Sequence, residues 1–333
     1  MMLLVNSGRA VYDDACRRMV ARPNEPGVDL NILMADRKRK QKLSVSIIGT
    51  GRLGTALALA LSAQGYALRS LVARRLQSAR KAATLTRQTA TDASTTLAGN
   101  IVAAAAKHIG SLPQADLFLI TVPDDQIATV AAQLARLRID RSPTALHTSG
   151  ALSSEVLLPL AKQGWSVGSV HPLISVPDAK ASLRGAFWSV EGDPRAVRLA
   201  KALVRDLGGT SFSIRTAEKP LYHAAAVMTS GNVTALFDVA LEMLIACGLT
   251  RKTARQVLQP LLISTAHNLE TKDPSAALTG TFSRGDVETV KRHLAALKDH
   301  NLTEALELYC CLGKRSLKLT KKRSGITRIL DRC

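Results

Sequence analysis

The chain has 333 residues, 46% of them hydrophobic and 3% aromatic, with a formal net charge of +19. That length is enough for two domains with full cores, and no run of 18 apolar residues is free of charge, which argues against a membrane span. Five cysteines without CxxC or metal-type spacing argue against a disulfide framework and against a metal site.

Cys310 and Cys311 read as packing thiols of a helix, and a reducing cytoplasm is the expected setting. The excess charge gathers at the ends, in RKRKQK over residues 37–42 and KRSLKLTKKRSGITRILDR over 314–332. Basic tails without interleaved aromatics suit non-specific polyanion attraction, not specific nucleic-acid recognition. Residues 1–42 mix Pro, Asp and Arg without a sustained period and are expected to be a disordered extension. Met34 would set the first strand at the usual distance from an N-terminus and reads as an alternative start.

The next stretch is the most informative. An apolar β-type run, Val45 to Ile48, meets Gly49-Thr50-Gly51-Arg52-Leu53-Gly54, and an alanine-leucine helix follows until Gly65. This strand–turn–helix order is that of a dinucleotide-binding turn. Gly49 permits the tight turn, Gly51 lets the backbone approach a pyrophosphate, and Gly54 lets helix and strand pack closely. Free N–H groups at the helix start hold the anion. The second strand then ends in Arg74-Arg75, where an NAD site carries an acid for the ribose 2′-OH. Arginine instead offers a permanent charge and a fork of donors to a 2′-phosphate. Arg52 adds a third charge, so the expected cofactor is NADP(H). The competing reading leaves Arg74 and Arg75 as solvated surface charges.

A helix is expected over Leu76–Thr89, then a polar, alanine-rich segment to about residue 113. Asp116 to Val122 reads as a buried strand, and the turn that follows it, Pro123-Asp124-Asp125, resembles the one that passes beside the nicotinamide ribose in many dehydrogenases. A helix over Gln126–Leu137 and a strand over Thr144–His147 lead to His147-Thr148-Ser149-Gly150. A helix over Ser153–Gln163 and a strand over Trp165–Val170 lead to His171-Pro172. A strand–helix–strand unit spans Phe187–Ile214, its helix capped by Asp193-Pro194. From Glu218 only helices are expected: Glu218–Cys247, Thr250–Leu269, Val287–Lys298 and Thr303–Leu319, with a connection over 272–285. The fold class is therefore α/β, a doubly wound parallel sheet over residues 43–216 followed by an all-α domain with a basic tail over 217–333, the substrate site being expected at their junction.

Open α/β sheets bind ligands at strand C-terminal ends. His147 and His171 are there, and imidazole can exchange the proton that accompanies hydride transfer; alternatively each caps a turn. Ser149 is a candidate for bonding substrate or the nicotinamide amide, or starts the turn. Lys219 and His223 are four apart and share a helix face, with Ser230 and Asn232 two to three turns on. That lysine is a candidate acid or oxyanion stabiliser, or a solvated lysine of a first turn. Arg284 is a candidate binder of a substrate carboxylate, or pairs with Asp286, the N-cap of the next helix.

The order GTGRLG, basic strand end, TVPD, HTSG, GSVHPL, KPLYHAAAVMTSGN and LTGTFSRGDVETVKRHLAAL resembles Rossmann-like proteins with the DUF2520 domain, from about residue 43 to 310. These are similar to pyrroline-5-carboxylate reductase, ketopantoate reductase and the β-hydroxyacid dehydrogenases. The resemblance implies a helical C-terminal domain that closes over the nicotinamide and often builds a homodimer. The Lys219-x-x-x-His223 pattern is similar to the catalytic lysine helix of the β-hydroxyacid dehydrogenases, and His171-Pro172-Leu173 to a segment of prephenate dehydrogenases. Thr281 stands where family members usually have Pro. The expected activity is transfer of a hydride between NADP(H) and a small polar, carboxylate-bearing substrate at a C=O/C–OH or C=N/C–N centre. The alternative is a non-catalytic NADP(H)-binding sensor or scaffold.

Overall fold

The computed structural model describes residues 42–89, 100–139, 142–320 and 325–332. The expected N-terminal extension and the Met34 start lie outside them.

Eight strands form one sheet: β1 (Ser44–Ile48), β2 (Ala67–Ala73), β3 (Val102–Ala105), β4 (Leu117–Ile120), β5 (Thr144–His147), β6 (Ser166–Leu173), β7 (Phe187–Gly192) and β8 (Thr210–Ser213). Their order is β3-β2-β1-β4-β5-β6-β7-β8. All neighbours pair parallel except β6 with β7. Every side chain of β4 and β5 is buried, as a sheet covered on both faces requires. One face carries α1 (Arg52–Ala63) and α5 (Pro194–Asp206), whose Leu57, Leu61, Ala200 and Leu203 pack against Trp188 and Val190. The other carries α3 (Asp124–Leu134) and α4 (Leu158–Ala161), with Ile127, Val130 and Leu160 against Phe118 and Trp165. The helix α2 spans Leu76–Thr89 as its sequence implies. The chain order reverses between β1 and β4, which creates the crevice where such sheets bind ligands.

After β8 the chain is helical: α6 (Lys219–Thr229), α7 (Gly231–Ala246), α8 (Arg251–Thr271), the single turns α9 (Pro274–Ala277) and α10 (Thr281–Arg284), α11 (Val287–Asp299), α12 (Thr303–Thr320) and α13 (Ile326–Leu330).

Five expectations are corrected. The segment before residue 113 contains the strand β3, short and alanine-rich, which completes the sheet edge beside β2. The helix over 153–163 is a 3-10 turn, Ser154–Leu157, followed by α4. The helix over 218–247 breaks at Ser230 (φ −118°, ψ −75°) into α6 and α7. So the stretch 216–246, which by length and composition alone could cross a membrane, is not one rod. Part of the C-terminal basic run folds as α13, because Ile326 and Leu330 share a face and are fully buried with Val290 and Leu317. Finally, Cys310 is disulfide-bonded, whereas Cys247 and Cys311 are free thiols.

Candidate active site

Two cavities open at the C-terminal edge of the sheet. The first is a groove of about 610 Å³ whose lining includes Gly49, Thr50, Gly51, Arg74, Arg75 and Pro123. Gly49 has φ +111°, and a Cβ there would lie 2.6 Å from the Thr121 carbonyl oxygen. At Gly54 a Cβ would lie 1.8 Å from the Gly49 carbonyl oxygen, so turn and helix can approach only without side chains. Gly51, the N-cap of α1, has nothing within 4 Å of such a Cβ. The Thr50 hydroxyl is buried and has no partner among the described residues, although buried polar groups are nearly always bonded. An open cradle, an unsatisfied hydroxyl and two exposed arginines fit the phosphates of a dinucleotide. Among the other expected cofactor residues, Val122 lines the groove. Arg52 is exposed on the first turn, Leu53 packs on the core and Gly54 is buried; none of these three lines it.

The second cavity, about 480 Å³, lies between the end of β6 and the helices α6 and α7, and its polar lining is His171, Ser175, Tyr222, His223, Thr229 and Ser230. His171 Nδ1 is 2.8 Å from the Tyr222 hydroxyl. The His171 and His223 rings meet edge to face at 5.8 Å, and Phe212 packs on Tyr222 from another side. A Cβ on Gly150 would lie 2.3 Å from His223 and 2.9 Å from His171, so glycine is required where the loop after β5 meets these rings. Burial, then the nearby Lys219 and His223, hold His171 down at about 4, neutral at pH 7.

The loop His147-Thr148-Ser149-Gly150 joins the two cavities. Ser149 Oγ donates to Asp124 at 2.7 Å, on the helix that follows Pro123, and accepts from the Ala151 and Leu152 amides. His147 Nε2 donates to the Ser153 carbonyl at 3.1 Å, and Nδ1 accepts from the Ser149 amide at 3.2 Å. Burial first, then Lys219, pushes His147 down to about 3. Lys219 is fully buried and donates to the Ser149 carbonyl at 2.7 Å and to Ser169 Oγ. Burial lowers it to about 8, against the attraction of Glu191 and Asp124. Glu191 in turn accepts from the Ser154 amide and hydroxyl and from Thr216.

The candidates therefore divide. His171, His223 and Ser230 come together in the second cavity. His147, Ser149 and Lys219 are internal supports with their polar atoms already bonded, and none lines either cavity. Asn232 is exposed on α7 outside the cavity lining. Arg284 is exposed beside Asp286, whose carboxyl it helps hold below the usual range after the dominant bonds from Thr289. Strand ends were chosen by residue type, and type does not reveal which side chains a returning helix seals. Tyr222 escaped the sequence reading. Its only signal was a position three residues after Lys219 on the same helix.

Comparison with known proteins agrees with this architecture. A model described as a Rossmann-like domain matches residues 31–172, and one described as Domain of unknown function (DUF2520) matches residues 186–316. The chain thus joins a Rossmann-like domain to a DUF2520 domain. Among solved structures it is similar to a protein from Thermotoga maritima (23% identity, 83% of this chain and 98% of the other, TM-score 0.64). It is also similar to a Bacteroides fragilis protein described as a candidate NADP oxidoreductase (20%, 84% and 99%, TM-score 0.64). A third is a reductive aminase from Aspergillus terreus in complex with NADPH and ethyl levulinate (16%, 87% and 99%, TM-score 0.60). At these identities the likeness shows a shared fold. No curated protein matches the sequence.

Proposed function

We propose that this chain is an NADP(H)-dependent oxidoreductase acting on a small molecule with one polar reacting group, a C=O/C–OH or C=N/C–N centre. The observation that carries this reading is the groove with its unpaired Thr50 hydroxyl and terminal Arg74-Arg75, one loop away from a cavity walled by His171, Tyr222 and His223. A bound nicotinamide would supply or accept the hydride. The turn amides and Thr50 would hold the pyrophosphate, and Arg74 and Arg75 would hold a 2′-phosphate. In the tautomer in which the Tyr222 hydroxyl donates to Nδ1, 2.8 Å away, the neutral His171 carries its proton on Nε2, which makes no hydrogen bond among the described residues. That atom is the one to hold or exchange a proton with the substrate. Structural neighbours that include NADPH and NADP+ complexes support the cofactor assignment.

The described residues lining the second cavity include no arginine or lysine. A substrate carboxylate would lack a cationic partner among the described residues of this cavity, so the expectation narrows to a largely apolar molecule with a neutral polar head. The homodimer expectation is supported by uncovered apolar side chains on α6 and α8, where Leu221 is 70%, Met228 67% and Leu261 65% exposed. We infer that a second copy covers these side chains.

The non-catalytic alternative draws on one observation: His147 and Lys219, two of the four proton carriers expected from sequence, are sealed. The test is NADPH oxidation followed across a panel of ketones, keto acids and cyclic imines. Turnover that falls at least about tenfold in Tyr222→Phe with NADPH binding kept supports the enzyme. Tight NADPH binding without turnover on any compound supports the sensor.

A further inference from the structure

We propose that a second anion-binding site lies at the opposite edge of the sheet and takes a small phosphate-bearing ligand. It is a cavity of about 1040 Å³ at the N-terminal ends of β1, β2, β4 and β5, flanked by α5, and its lining includes Lys42, Arg69, Thr144 and Arg195. It is separate from both cavities described above, so it stands or falls apart from the oxidoreductase reading.

Three independent observations converge there. First, Arg69 and Arg195 are both exposed and make no ion pair or hydrogen bond among the described residues. Arg195 also stands in the first turn of α5, where the helix dipole adds to its charge. Asp116, the one carboxylate among the described lining residues, accepts from the Ser44 amide and hydroxyl. Lys42, tied to Asp206 at 3.0 Å, adds a partly neutralised charge. Second, the Thr144 hydroxyl has no partner among the described residues although the residue is 1% exposed. A ligand oxygen would satisfy it, and an unmet buried hydroxyl is otherwise costly. Third, Arg69 is the extra residue of a β-bulge. Val45 pairs with Leu68 and Ser46 with Ser70, which leaves Arg69 outside the ladder. Bulges are rare between parallel strands, and they re-aim a side chain. Here the side chain re-aimed is an arginine, unpaired among the described residues, at a polar cavity.

Arginine forks match phosphate bidentately. Among the described residues no aromatic side chain lines the cavity, which disfavours single-stranded nucleic acid, whose bases need stacking platforms.

The experiment is calorimetric titration of the full chain with inorganic pyrophosphate, in a Gly51→Ala/Arg74→Gln/Arg75→Gln background that fills the pyrophosphate seat of the dinucleotide groove and removes its arginines. Binding should persist there. It should weaken about tenfold or more when Arg69→Gln and Arg195→Gln are added, and about threefold with Thr144→Val. Arg69→Lys, which keeps the charge but not the fork, should lose less than Arg69→Gln. Both arginines are exposed, so unchanged thermal midpoints are expected. The proposal is overturned if pyrophosphate binding disappears in the background variant. It is equally overturned if binding survives loss of both arginines, or if an RNA oligomer binds where pyrophosphate does not.

Discussion

Gly51 and Gly54 are three residues apart in one turn and should fail in opposite ways when changed to alanine. At Gly54 the new methyl would lie 1.8 Å from the Gly49 carbonyl oxygen and 2.5 Å from Thr121 Oγ1. The first is backbone and cannot yield, so turn and helix must separate. Overpacking of this kind costs about 1–3 kcal/mol and sometimes more, and Gly54→Ala belongs at the upper end. At Gly51 the backbone lies at φ −70°, ψ −166°, which alanine adopts freely, and the methyl meets no protein atom. The stability cost is then only the poorer N-cap, under about 1 kcal/mol. The methyl does fill the space in which a pyrophosphate would sit. Displacing it from charge-assisted bonds worth about 1.5–3 kcal/mol weakens NADPH about 10- to 150-fold. Urea denaturation and NADPH fluorescence titration of the two variants separate these effects. Wild-type NADPH affinity in a folded Gly51→Ala would refute the assignment of the groove.

Replacing Arg74 and Arg75 by Gln should weaken NADPH about tenfold or more while NADH changes little, read from paired titrations. His147 is kept neutral in the fold, down to about 3, while the unfolded chain protonates near 6.5. The unfolded state therefore binds more protons below pH 6.5, and this residue removes about 1.4 kcal/mol of stability per pH unit as pH falls toward 3. Urea midpoints at pH 7.5, 5.5 and 4.5 should drop less steeply in His147→Gln; parallel slopes would contradict this. Leu261→Lys places a charge among the exposed apolar side chains of α8 and should shift the chain toward monomer by light scattering, with NADPH binding kept.

The alternation of apolar strands with helices up to residue 213 was legible because strand burial on both faces produces unbroken apolar runs. The helix Leu76–Thr89 and the caps Asp193 and Asp286 could be located for a related reason: their signals are local. β3 was hidden because four residues of mostly alanine carry no period. The break at Ser230 interrupts an apolar run that continues on both sides, leaving Gly231 as the sole cue. α13 was masked by the charges around Ile326 and Leu330. In the site, the pairing of His171 with Tyr222 spans 51 residues, and a pairing of that span is set by tertiary packing. The same packing turned Lys219 from a candidate acid into the support of the Ser149 carbonyl.

That lysine also decides where this protein can be cut. By strand count the sheet domain ends near residue 216, but α6 is fastened to the sheet through Lys219, and Tyr222 reaches back to β6. A fragment ending at 216 would leave Glu191 and Asp124 without the cation that faces them and would strip His171 of its partner. A fragment ending at Ser230 keeps all of these. The workable seam for an isolated nucleotide-binding fragment, or for exchanging the helical arm between relatives, is the joint at Ser230–Gly231.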